Sequence, residues 1–270
     1  MFEEVKEAFN RQSGLFDDYE SQNEILRWMR SAARGHILKY LKPGDKVLEL
    51  NAGTGLDAVF LAEKGFTVHA IDISEGMLKK LSQKINRMKL QDKITFEELS
   101  YTELDKLKLK SNMLPFDFIF SNFGGLNCVA DLRIVTKHFG QILKPGGKVC
   151  LVIMPPVSPW EIALALKGKF KPAFRRLHKG GITANVEGVK FQTYYHSLKK
   201  LKHALGKEFK LIEAQGLASI SPPPYINNFP KRYPNIYKFL LSADKIFSHI
   251  FPFNRCADHY AATFEFKEKI

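Results

Sequence analysis

Two carboxylates close two apolar runs on either side of a glycine loop. Glu49 lies in Val47-Leu48-Glu49-Leu50-Asn51-Ala52-Gly53-Thr54-Gly55, and Asp72 in Val68-His69-Ala70-Ile71-Asp72-Ile73-Ser74. A G-x-G loop opening a helix lets backbone approach a ligand, and an acid ending the second strand can hold both hydroxyls of a ribose. The chemistry indicated is the binding of a nucleoside. Ala58 fills the third position of a G-x-G-x-x-G/A pattern, which alone admits a dinucleotide. Glu49 argues against that, because its charge would repel a pyrophosphate; it suits a ligand with a cationic or neutral end. Two histidines, His196 in Tyr194-Tyr195-His196-Ser197 and His259 in Asp258-His259-Tyr260, are candidate bases. Each has the alternative of a structural role.

These residues need strands and helices to carry them. Apolar runs at Val47–Leu50, Phe66–Ile71, Ile94–Glu98, Phe116–Ser121 and Lys148–Met154 read as strands. Between or before them, residues 20–41, Leu56–Lys64, a segment with Ser74 as N-cap, and Leu132–Leu143 read as helices. Alternating strand and helix implies a parallel sheet covered on both faces. After Pro155-Pro156 the pattern changes to a short helix (Trp160–Phe170), a strand (Val189–Tyr195), a helix (Ser197–Leu205) and two strands, Phe209–Ile220 and Tyr260–Lys267, expected as an antiparallel pair finishing the sheet. Within the proline- and aromatic-rich stretch before the last strand, Ile236, Phe239, Leu240, Ala243, Ile246, Phe247 and Ile250 follow helical spacing.

The chain has 270 residues, 45% of them hydrophobic, which is enough for one large α/β domain with a sizeable core. Three scattered cysteines (Cys128, Cys150, Cys256) match neither a disulfide framework nor a zinc site. With no signal core and no apolar run of bilayer-spanning length, the reading is a soluble cytoplasmic protein without a metal. The net charge of +13 is uneven: residues 1–150 hold 22 basic and 20 acidic residues, and residues 151–270 hold 19 and 8. A basic half can face phosphate, anionic lipid or an acidic substrate, or be a solvated surface.

The glycine-loop segment 47–55, Ala70-Ile71-Asp72-Ile73-Ser74, Phe116-Asp117-Phe118-Ile119-Phe120-Ser121-Asn122 and Leu143-Lys144-Pro145-Gly146-Gly147 stand in the order and spacing of one family. Over about residues 35–155 the chain resembles the class I S-adenosylmethionine-dependent methyltransferases, of small-molecule type. Their cofactor carries an ammonium, a sulfonium and a carboxylate but no phosphate, in keeping with Glu49. The resemblance implies an α/β, Rossmann-like sheet of seven mostly parallel strands, with helices on both faces, an antiparallel last strand and helical, aromatic cap insertions. It implies one domain over residues 1–270, with its core at about 20–155, 197–220 and 259–270 and acceptor-covering insertions at about 156–196 and 221–258. It places Asn51, Ala52 and Gly53 under the methionine moiety, Glu49 beneath that loop, Asp72 on the ribose and Ile73 on the adenine. Ser100 and Tyr101 would meet the adenine edge, Asn122 and Phe123 the ammonium and methyl group, and Arg30 the carboxylate, with Tyr19 and Met77 completing the cofactor contacts. Two positions depart from the family pattern: Asn51 stands where glycine is usual, and Ser100 where an aspartate is frequent. Asn tolerates positive φ better than other non-glycine residues.

Methyl transfer from a sulfonium is an in-line displacement in which alignment supplies much of the rate, and a base matters when the acceptor is a hydroxyl. After the fourth strand the chain reads Asn122-Phe123-Gly124-Gly125, not the Asn-Pro-Pro-Tyr type associated with amino methylation of bases. The aromatic insertions favour a small hydrophobic or aromatic acceptor and O- over C- or N-methylation. Two alternatives stand beside it: an RNA or other nucleic-acid methyltransferase using the basic half, and a peripheral lipid or quinone methyltransferase whose 236–251 helix lies at an interface instead of packing on the sheet. A non-enzymatic cofactor-binding protein is a further option. No obligate protein partner is evident.

Overall fold

The computed structural model describes residues 2–108 and 113–267. Among the described residues nine strands form, β1 Lys46–Leu50, β2 Thr67–Asp72, β3 Ile94–Glu98, β4 Phe116–Ser121, β5 Leu143–Ile153, β6 Ile182–Val186, β7 Val189–Thr193, β8 Phe209–Leu217 and β9 His259–Phe266. The helices are α1 Glu3–Gln12, α2 Phe16–Gln22, α3 Glu24–Leu38, α4 Leu56–Glu63, α5 Glu75–Met88, α6 Arg133–Thr136, α7 Phe139–Ile142, α8 Pro159–Ile162, α9 Phe170–Ala173, α10 Leu198–Leu205, α11 Phe229–Arg232 and α12 Pro234–Phe247, with short 3-10 turns between them.

Seven strands make one sheet in the order β3-β2-β1-β4-β5-β9-β8. Pairing is parallel from β3 through β5, and β9 runs antiparallel to both β5 and β8. This is the seven-stranded architecture expected, last strand included. The central strands β1 and β4 are buried over most of their length because both faces of the sheet are covered. Strand order reverses between β1 and β4, and in open α/β sheets a ligand crevice forms at the carboxyl ends of the strands flanking that switch.

Four local expectations change. The 20–41 helix breaks at Asn23, whose Oδ1 accepts from Ile25 N and Leu26 N at 3.1 and 3.2 Å and caps α3. The 132–143 helix shortens to α6 and α7, because Leu143 already pairs with Phe116 and starts β5. The Trp160–Phe170 helix ends at Ile162, and the turn after it stops at Gly168, whose φ is +72°. Strand β7 pairs only with the unforeseen β6, as a hairpin outside the main sheet.

Candidate active site

A cavity lies at the carboxyl ends of β1, β2 and β4. Its wall carries Glu49, Asn51, Ala52, Gly53, Asp72, Ile73, Met77, Tyr101, Asn122, Phe123 and Arg30, eleven of the thirteen residues expected around the cofactor.

The loop after β1 is held from two sides. Asp72 Oδ2 accepts from Gly53 N at 2.8 Å and Oδ1 from Ser74 N at 2.9 Å. Burial raises the Asp72 pKa, while backbone N–H groups of Ser74, Gly53 and Ile73 oppose that rise. Each oxygen keeps a further lone-pair site. Gly55 has φ +77° and Leu81 within 2.2 Å of where a Cβ would stand, so the loop needs glycine there for sterics and backbone alike. Asn51 takes φ +47°, the left-handed geometry that its family glycine would supply. Its side chain bridges to the β4 loop: Nδ2 donates to Asn122 O at 3.0 Å, and Ser121 Oγ donates to Oδ1 at 2.6 Å.

Beneath the loop lies a buried charge cluster that the motifs did not reveal. Asp57, in the first turn of α4, accepts from Arg34 Nε at 2.7 Å, from Asn122 Nδ2 at 2.8 Å and from the Arg30 guanidinium. Burial opposes its ionisation, but Arg30 and Arg34 outweigh burial and hold its pKa below the ordinary value. Arg30 also donates to Glu20 at 2.5 Å and stands 4.4 Å over the Phe123 ring. Glu49 is the exception. It is 2% exposed, and its Oε2 has no hydrogen-bond partner among the described residues. Burial first, then the Asp57 charge, push its pKa well above the carboxylate range. A buried carboxyl with one unpartnered oxygen on a cavity wall calls for a cationic or donor ligand group.

The opposite wall comes from the amino-terminal helices, which supply Val5, Phe9 and Phe16. Asn10 Oδ1 ties α1 down, accepting from Ser74 Oγ at 2.6 Å and Gly76 N at 3.0 Å. Ser74 is the N-cap of α5 as expected. The apolar pattern of 5–16 was the available signal for this wall; Leu56, Leu99, Gly125 and Cys128 complete the lining without any.

Three expected residues lie elsewhere. Tyr19 is 47% exposed and donates to Glu187 at 2.8 Å, facing the β6–β7 hairpin. Ser100 turns its hydroxyl to Thr102 at 2.8 Å and borders a shallow neighbouring groove on the far side of Ile73. His196 is wholly buried off the cavity. Its Nε2 donates to Val129 O at 2.9 Å, its Nδ1 has no partner among the described residues, and burial lowers its pKa to about 4. These contacts make it a core histidine.

His259 sits differently. It starts β9 beside the end of β5, its ring 5.7 Å from that of Phe123 and its Nε2 3.2 Å from where a Cβ on Gly124 would be. Asp258 Oδ2 lies 2.9 Å from its Nδ1. Burial would raise the Asp258 pKa, but the His259 hydrogen bond and Arg176 bring it down to about 2. An ionised carboxylate only accepts, so Nδ1 donates, and in the neutral ring Nε2 is the free base.

Sheet order and a cavity at the topological switch point define a doubly wound α/β domain with a ligand crevice at the carboxyl ends of its strands. The methyltransferase domain family matches residues 47–147, which span β1 to the start of β5. A demethylmenaquinone methyltransferase of Bacillus cereus is 32% identical over 161 residues, covering 57% of this chain and 64% of that protein. The chain thus spans somewhat less than two thirds of that relative's length. Among solved structures, a SAM-dependent methyltransferase from Methanosarcina mazei superposes with a TM-score of 0.59 at 18% identity, over 86% of this chain and 97% of that one. The 1,6-didemethyltoxoflavin-N1-methyltransferase of Burkholderia thailandensis, solved with 1,6-didemethyltoxoflavin and S-adenosylhomocysteine, superposes with a TM-score of 0.59 at 14% identity, over 98% and 88%. At such identities the structural likeness speaks for the fold. The matched segment and the shared fold are consistent with the class I S-adenosylmethionine-dependent methyltransferases that the sequence resembles.

Proposed function

We propose that this chain transfers a methyl group from S-adenosylmethionine to a small hydrophobic or aromatic acceptor, O-methylation being favoured, as a single cytoplasmic domain with acceptor-covering insertions at about 156–196 and 221–258. The observation that carries it is the orphaned Glu49 Oε2 on the wall of a cavity that Asp72 also borders. When bound, the cofactor supplies an electrophilic methyl carbon. Asp72 would hold the ribose hydroxyls through its free lone pairs, Glu49 the ammonium, and Ile73, Met77, Val5 and Phe9 the adenine. Arg30 is already committed to Asp57 and Glu20, so its role is to orient Phe123 and the loop more than to grip a carboxylate. Phe123 would separate cofactor from acceptor, and His259, oriented by Asp258, would take the proton from a hydroxyl acceptor at Nε2.

The name of the Bacillus relative makes a quinone the acceptor class to test beside phenols. The experiment is transfer of radiolabelled methyl into phenolic, quinone and RNA fractions. Label in a small hydrophobic product supports this reading. Label confined to RNA, or binding of S-adenosylhomocysteine with no transfer to any fraction, rejects it.

A further inference from the structure

The apolar stripe of α12 points away from the molecule. Ile236, Phe239, Ala243, Ile246, Phe247 and Ile250 recur at three- and four-residue intervals, which places them on one helix face. Phe239 is 71% exposed and Ile246 65%. The buried face is instead Tyr237, Asp244 and Ser248. The helix packs through that face, and the stripe faces solvent.

Asp244 fixes the helix in that rotation. Its Oδ1 accepts from Ser219 N at 3.1 Å and Ile220 N at 2.8 Å, and its Oδ2 accepts from Ser221 N at 2.9 Å and from the Ser221 hydroxyl. Turning the helix over would strand a carboxylate and three backbone N–H groups. The first insertion repeats the pattern on a smaller scale: Leu166, 92% exposed, and Phe170, 63%, alternate with Lys167, Lys169 and Lys171. Trp160 joins the two insertions. Its Nε1 donates to Ile220 O at 2.9 Å, and its ring meets Phe229 edge-on at 5.6 Å.

Charge selects the occupant. Residues 221–258 contain five basic residues and two acids, Asp244 and Asp258, both buried. Residues 159–179 contain one acid, Glu161, buried and paired with Arg175 and Arg176. Residues 159–179 and 221–258 thus show solvent only apolar and cationic side chains among their hydrophobic and charged groups. We propose that α12 and the Leu166–Phe170 turn dock on an anionic lipid bilayer, with the stripe at the acyl boundary and the lysines among the headgroups. A second copy of the chain would set cation against cation across a twofold axis. The proposal needs neither cofactor nor acceptor, so it stands or falls apart from the methyl-transfer reading.

The test is co-sedimentation of the full chain with phosphatidylcholine vesicles, with and without phosphatidylglycerol. Wild type should partition at least tenfold better onto the anionic vesicles and release in high salt. Phe239→Asp with Ile246→Asp should lose at least tenfold in partitioning at unchanged melting temperature, and Lys238→Ala or Lys245→Ala roughly fivefold each. Equal partitioning of wild type and the Phe239→Asp/Ile246→Asp variant, or absence of wild-type binding to anionic vesicles, overturns the proposal. So does a lipid-free dimer in sedimentation equilibrium that the same double variant splits into monomers, which would give the stripe to a second copy.

Discussion

Asp258 and His259 are neighbours in sequence and partners in space: the carboxylate accepts from the imidazole Nδ1 at 2.9 Å through one oxygen and from Arg176 at 2.7 Å through the other. Arg176 in turn donates from Nε to buried Glu161 at 2.8 Å. An ion chain from the first insertion therefore sets the tautomer of a histidine on the sheet, one aromatic ring away from the cofactor cavity.

That chain gives a graded prediction. His259→Gln should cut turnover of a phenolic acceptor by roughly 10²- to 10⁴-fold, the span of general-base catalysis. Asp258→Asn should cost less, because the ring survives but loses its fixed tautomer. Both variants should bind S-adenosylhomocysteine within about twofold of wild type by calorimetry, since neither residue borders the cavity. Turnover unchanged in His259→Gln would leave the acceptor without a protein base, as for a carbon or amine acceptor.

Glu49 should trade stability for affinity. Its folded pKa lies above its unfolded one, so its contribution is favourable below the unfolded value and is lost as pH rises through the folded value. Near neutral pH it costs the ligand-free protein. Glu49→Gln should raise the ligand-free melting temperature by roughly 2–4 °C for each kcal/mol relieved. It should also weaken S-adenosylhomocysteine binding at least tenfold, because an ammonium then meets a neutral amide. Calorimetry in buffers of differing ionisation enthalpy should show wild type, but not the variant, releasing a proton on binding.

Much of this site is legible in the residues themselves. Glu49, Asp72 and Asn122 end apolar runs, and a strand end beside a glycine loop leaves a carboxylate few places to go. What pattern cannot give is the partner across a gap in sequence. Asp57 reads as an ordinary first-turn acid until Arg30, Arg34 and Asn122 are seen around it. The rotation of α12 is similarly hidden: an apolar stripe at helical spacing normally faces inward, and only the four donors meeting Asp244 reverse it. His196 and His259 look alike as isolated histidines. Asp258 beside one and the Val129 carbonyl above the other separate them.

Asp72 has a double function in the structure, bracing Gly53 and facing the cavity, so one substitution tests both. Asp72→Ala should weaken cofactor binding at least tenfold and lower the melting temperature, as two backbone N–H groups lose their acceptor. Asp72→Asn separates the two effects, because its carbonyl oxygen can still serve one amide. Cofactor affinity equal to wild type in a folded Asp72→Ala protein would remove the acid from the ribose role.

Acid should unfold the protein well above the usual carboxylate range. His36, His69 and His196 are buried, and in each burial lowers the pKa from 6.5 to about 4. The folded state therefore binds fewer protons than the unfolded chain between those values, and stability falls as pH drops from about 6.5 toward 4. A shift of that size corresponds to about 3 kcal/mol for one histidine at the low end. His196 should be the sharpest reporter, because its Nδ1 is buried with no acceptor for a second proton. His196→Gln keeps a donor for Val129 O and removes the titration, so its melting temperature should fall less steeply between pH 6.5 and 4 than that of wild type. Parallel slopes in the two proteins would show that this histidine does not carry the acid lability.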